Sequence, residues 1–132
     1  AKLNALYQDK FGSQIPFLDI AQDSSKQVFN ESLEYRDKSD YKDGVKLKVS
    51  SNYMVPILES GLVVFIGEKE GYGNTVIIQQ IDGIDVWYGN ISNTSIKLYD
   101  YVEKGNLLGE CSNELYLVFK KDGNRLDYEN RI

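Results

Sequence analysis

The chain has 132 residues, enough for one domain with a real hydrophobic core. Hydrophobic residues make up 42% and charged residues 27%, a globular rather than a disordered composition. The formal net charge of -5, with no basic stripe, argues against nucleic acid as a partner.

In chain order, Leu3, Leu6, Tyr7 and Phe11 follow helical spacing and Gly12 supplies a stop, so a short helix is predicted over Lys2 to Phe11. Ile15, Phe17, Leu18 and Ile20 form a small apolar patch, and a polar, weakly patterned stretch runs on to the turn-like Lys42-Asp43-Gly44. Residues 1–43 are read as a helical lead-in and connecting segment; a flexible tether fits the same residues equally well. After Gly44 the period becomes two. Val45, Leu47 and Val49 alternate with Lys46 and Lys48, then "GLVVFIG", "TVIIQQI" and "VWYGNI" follow as strands separated by Gly-, Asn- and Asp-rich turns. This pattern predicts a meander. "KLYDYVEKGNLLGE" places short apolar pairs around Gly105 and Gly109, and "LYLVFKK" closes the set as a final strand.

Trp87 and Tyr88 fall on opposite faces of one strand, so at most one of them lies deep in the core. "GYGNT" is a turn signal rather than a phosphate cradle, since no helix pattern follows it. The single cysteine, Cys111, has no internal disulfide partner and reads as a small buried hydrophobe. No apolar run approaches the ~20 residues of a membrane span. Because the chain starts at Ala1 rather than Met, it is expected to be part of a longer protein. It contains no histidine, so it lacks the commonest nitrogen ligand of zinc and the usual general base near neutral pH.

The phrases "VPILESGLVVFIG", "GYGNTVIIQ", "WYGNIS", "YVEKGNLLGE" and "ELYLVFKKDGNRLD" occur in one order over some ninety residues. In that order and spacing, residues 44–132 resemble the LytM-type, or lysostaphin-like, M23 peptidase domain. The resemblance implies a mainly β domain of duplicated hybrid-motif, barrel-sandwich type, preceded by the short helix. It also implies where a catalytic zinc would be held. Counting back from Gly61, the family's first zinc histidine falls on Lys42 and its zinc aspartate on Lys46. The catalytic histidine of the middle motif falls on Asn90, and the two histidines of the last motif fall on Glu114 and Tyr116. Protonated lysine has no lone pair to give a metal, and Asn90 cannot shuttle a proton.

The expectation is therefore a pseudo-peptidase with no cofactor and no catalytic residues, whose vacated groove is available for binding. Lys42 and Lys46 suit an acidic partner, or are simply a solvated strand face. Asn90 and Tyr116 either touch a ligand or fill an emptied metal pocket. The ten tyrosines suit a protein-binding surface but also suit strands.

Within the family, "LYQDKFGSQIPFL", "VIIQQIDGIDVWYGNIS" and "IKLYDYVEKGNLLGE" resemble a sporulation group. Its members are single-span membrane proteins whose degenerate domain lies on the extracytoplasmic side of the mother-cell membrane around the forespore. The partners implied are an intramembrane metalloprotease held in an inhibited complex, and signalling serine proteases whose cleavage releases it. The segment from Asp23 to Lys42, or a nearby loop, is then expected to be the protease-sensitive region. The alternatives are a bridge between two membranes, an active M23 endopeptidase, and a lipoyl- or biotinyl-type carrier. The carrier lacks the modifiable lysine at a hairpin tip that it requires.

Overall fold

The structure is a computed structural model that describes residues 31–132. The helix expected over Lys2 to Phe11 lies outside the described residues. Ten strands follow one another with no helix among the described residues. They are β1 (Asp37–Tyr41), β2 (Gly44–Lys48), β3 (Tyr53–Pro56), β4 (Gly61–Lys69), β5 (Gly73–Gln80), β6 (Ile84–Gly89), β7 (Tyr101–Val102), β8 (Leu107–Cys111), β9 (Glu114–Lys121) and β10 (Asn124–Arg125). All pair antiparallel. The large sheet runs β1-β2-β9-β6-β5-β4-β7, with β10 on β9, and β3-β8 forms a separate ribbon.

The alternation read after Gly44 is what builds the core. Val45 and Leu47 of β2, and Val49 just after it, turn inward with Leu115, Leu117 and Phe119 of β9. Val76, Ile78, Val86 and Tyr88 join them from the β5–β6 hairpin. The ribbon covers this face with Val55, Leu108 and Cys111. Tyr88 ties the two layers together: its buried hydroxyl accepts a hydrogen bond from the Leu58 N–H at 3.0 Å. Trp87, its neighbour, faces the opposite way and is half-buried, as the period of two requires.

Strands β4, β5 and β6 form the expected meander. The closing strand β9 does more than the pattern alone states, because it is inserted between β2 and β6 and pairs with both. That central place explains its near-continuous apolar run and the complete burial of Val118, which faces away from the core cluster. Gly44 is required where β2 meets β9, since a Cβ there would stand 1.9 Å from the Leu117 carbonyl oxygen. β1 falls within the segment read as connecting. Its "DKSDY" has four exposed residues and buries no face, so it carries no periodic signal and is held by its backbone ladder to β2.

Candidate functional site

The site lies on the face of the large sheet opposite the core. In the β2–β9 register Lys46 stands opposite Tyr116 and Lys48 opposite Glu114, while Gly89 of β6 flanks Tyr116 on its other side. Because Leu115 and Leu117 point inward, Glu114, Tyr116, Val118 and Lys120 must share the outer face. Four of the five residues expected from the sequence thereby meet. The Tyr116 hydroxyl donates to Glu114 Oε1 at 3.1 Å, and Lys46 Nζ stands 3.9 Å from Glu114 Oε2. Asn90 follows the β6 end in a left-handed conformation, φ 69°, and its amide Nδ2 donates to the Glu114 backbone carbonyl at 2.7 Å. Asn is among the few non-glycine residues that adopt this conformation readily.

Lys42 sits apart from this cluster in the β1–β2 turn, at φ 48°. Its stem lies over Gly71, where an added Cβ would approach Lys42 Cε to 2.3 Å. It joins the site through Tyr41. The Tyr41 ring stacks on Tyr116, with centroids 4.5 Å apart and planes 14° apart, and its hydroxyl donates to the Gly71 carbonyl at 2.6 Å. Lys42 Nζ and Lys46 Nζ lie 5.8 and 5.9 Å from the Tyr41 centroid.

Tyr72 is the hub of this layer. It meets Tyr41 at 5.8 Å, Tyr116 at 6.0 Å and Trp87 at 5.7 Å, each edge-to-face, and its hydroxyl accepts from the Asp43 N–H at 3.1 Å. Trp87 carries two ammonium groups, Lys69 Nζ at 5.0 Å and Lys120 Nζ at 4.5 Å from its centroid. Lys69 is also 4.5 Å from the Phe65 ring. Lys120 reaches Asp43 Oδ2 at 3.7 Å. Tyr41, Tyr72, Trp87, Lys69 and Lys120 are functional candidates that the sequence motifs did not single out. The alternation of Tyr116, Val118 and Lys120 was the signal available for Lys120; the Tyr41 stack depends on β1, whose strand has none.

Burial and the Glu114 carboxylate, which bonds its hydroxyl, push the Tyr116 phenol up to about 12. It is therefore a neutral donor at physiological pH. Asp85 lies on the same face, opposite Lys120 in the β6–β9 register, with a buried Oδ1 that has no hydrogen-bond partner among the described residues. Burial raises its carboxyl above the ordinary range.

A catalytic zinc does not fit this donor set. Zinc takes about four N, O or S donors. The positions at issue offer one carboxylate, already engaged by Tyr116 and facing Lys46, together with two cationic lysines. Among the described residues no three His, Cys, Asp or Glu side chains converge as a metal-binding group. A lysine ammonium ~4 Å from a dication is opposed by about 8 kcal/mol at an effective dielectric near 20.

The model of peptidase family M23 matches residues 40–132. Stage IV sporulation protein FA of Bacillus subtilis is 26% identical over 133 aligned residues, which cover 90% of this chain and 50% of that protein. The chain thus spans about half the length of the curated relative. Among solved structures, Helicobacter pylori Csd3 superposes with a TM-score of 0.69 at 21% identity, over 79% of this chain and 33% of that one. The catalytic domain of the antimicrobial peptidase lysostaphin from Staphylococcus simulans superposes with a TM-score of 0.61 at 18% identity, over 81% and 94%. These likenesses establish a shared LytM-type β fold.

Proposed function

The chain belongs to peptidase family M23, and from that premise we infer that its domain is a non-catalytic one that works by recognition. The observation that carries this reading is the chemistry at the five motif positions. Where the resemblance sets the family's zinc ligands and catalytic histidines, this chain has Lys42, Lys46, Asn90, Glu114 and Tyr116. The sheet face around them is packed by the Tyr41–Tyr116 stack and the Tyr72 hub. Neither an activated water nor a histidine base can be assembled from these groups.

The likeness to a sporulation protein supports a regulatory role in sporulation. In this reading the domain is the extracytoplasmic part of a membrane-anchored protein, held at the mother-cell membrane around the forespore. It docks into a complex that keeps an intramembrane metalloprotease inhibited until signalling proteases cut the chain. No helix among the described residues is long and apolar enough to cross a membrane.

The reading is tested by incubating the chain with peptidoglycan and with pentaglycine-type peptides across a range of added zinc, followed by mass spectrometry. Intact substrates at every zinc level are expected. Zinc-dependent cleavage would overturn the proposal.

A further inference from the structure

We propose that the aromatic outer face around Trp87 is the docking surface of this domain, and that its occupant is an acidic polypeptide segment. The inference rests on the recognition reading above and names its partner's chemistry. The chain as a whole is acidic, at -5, yet Lys42, Lys46, Lys69 and Lys120 all converge on this one face.

These four cations are not equivalent. Lys46 and Lys120 face Glu114 and Asp43 at 3.9 and 3.7 Å, long enough for an incoming carboxylate to compete. Lys42 and Lys69 have no carboxylate within 4 Å among the described residues. Both are instead laid against aromatic rings or over Gly71. A lysine whose stem is already ordered by packing loses less rotamer freedom when it captures an anion. Trp87 also has two ammonium groups within 5.0 Å of its ring centroid, which sets cationic and aromatic contacts side by side.

The strand register adds Lys48 and Asp37 to this face, so its acidic groups are Asp37, Asp43, Asp85 and Glu114 against five lysines, a modest positive excess rather than a strong field. That balance suits single side-chain carboxylates set beside apolar contacts. It does not suit a polyphosphate, which needs many cations and is repelled by the chain's net charge. Tyr and Trp surfaces of this kind supply the anchoring contacts typical of protein interfaces.

Trp87 is the only tryptophan, so its fluorescence reports directly on the site. The full chain is titrated with hexaglutamate at low salt, with hexalysine, single-stranded DNA and phosphatidylglycerol vesicles as comparison probes. A saturable change with hexaglutamate alone is expected, weakened by salt. Lys69→Glu should weaken it by about ten-fold or more, while Lys97→Glu, an exposed lysine of the β6–β7 loop with the same charge change, should alter it less than about two-fold. Equal effects of the two variants, tighter binding of hexalysine, or Lys69-dependent preference for DNA or vesicles would each overturn the assignment. Mass spectrometry of the same samples keeps the two claims separate. Cleaved peptide contradicts the recognition reading, whereas intact peptide without a fluorescence change contradicts only the acidic partner.

Discussion

If the groove is filled by mutual packing of aromatic side chains, Tyr41 and Tyr116 must be energetically coupled. Their rings are stacked at 4.5 Å, and they come from β1 and β9, which are not neighbours in the sheet. Such a pair contributes about 0.5–1.5 kcal/mol beyond the area it buries. Both side chains are only half-buried, so each single change to alanine should cost about 2 kcal/mol, below the range for a fully buried ring. The losses differ in kind. Tyr41→Ala also removes the bond to the Gly71 carbonyl, and Tyr116→Ala the bond to Glu114. A double-mutant cycle cancels those private terms and leaves the coupling. Urea denaturation of the wild type, both single variants and the double variant, followed by circular dichroism, gives the four stabilities required. A coupling of about 1 kcal/mol is expected. Additivity within about 0.3 kcal/mol would mean that the rings do not pack together in solution, and the filled groove would be wrong.

Gly44→Ala should destabilise by at least about 3 kcal/mol, because its methyl would lie 1.9 Å from the Leu117 carbonyl; a melting temperature near the wild type's would contradict the β2–β9 register. Tyr88→Phe should cost about 1–3 kcal/mol by leaving the Leu58 N–H unpaired beneath the ribbon, and urea titration reads the loss. The Tyr116 phenol has a folded-state value of about 12 against 10.0 unfolded, and burial raises Tyr88 as well. Folding therefore favours the protonated phenols: their contribution is fully present below pH 10.0 and is lost as pH rises through the folded values. Melting temperatures should fall from pH 10 upward, less steeply in Tyr116→Phe, and a flat profile to pH 12 would count against the buried phenols. Burial also pushes the Cys111 thiol up to about 11, so a disulfide-exchange reagent at pH 8 should label it only after unfolding.

The inward face of the fold was legible because burial imposes a period of two. Val45, Leu47 and Val49, the β4–β5–β6 meander and the opposed faces of Trp87 and Tyr88 all follow from that rule. β1 and β10 were not, since four residues of the first and both of the second are exposed and held by backbone bonds that any sequence can make. β3 escaped for a related reason. It is four residues long, with Tyr53 and Met54 partly or fully exposed, and its ladder to β8 shifts register at Val55/Pro56. The site was partly readable. Alternation alone puts Glu114 and Tyr116 on one face, but only the insertion of β9 between β2 and β6 brings Lys46 and Asn90 beside them. The aromatic hub depends on Tyr41 and Tyr72, which lie thirty-one positions apart and meet because the β1–β2 turn folds over the Gly71 hairpin.

Metal content tests the central claim most directly. The full chain, dialysed to equilibrium against micromolar zinc and analysed by atomic emission, should retain well below one zinc per chain, because the chain has no histidine and the Glu114 carboxylate is already engaged by Tyr116 and faces Lys46. One tightly held zinc per chain, lost on converting Glu114 to alanine, would contradict the account.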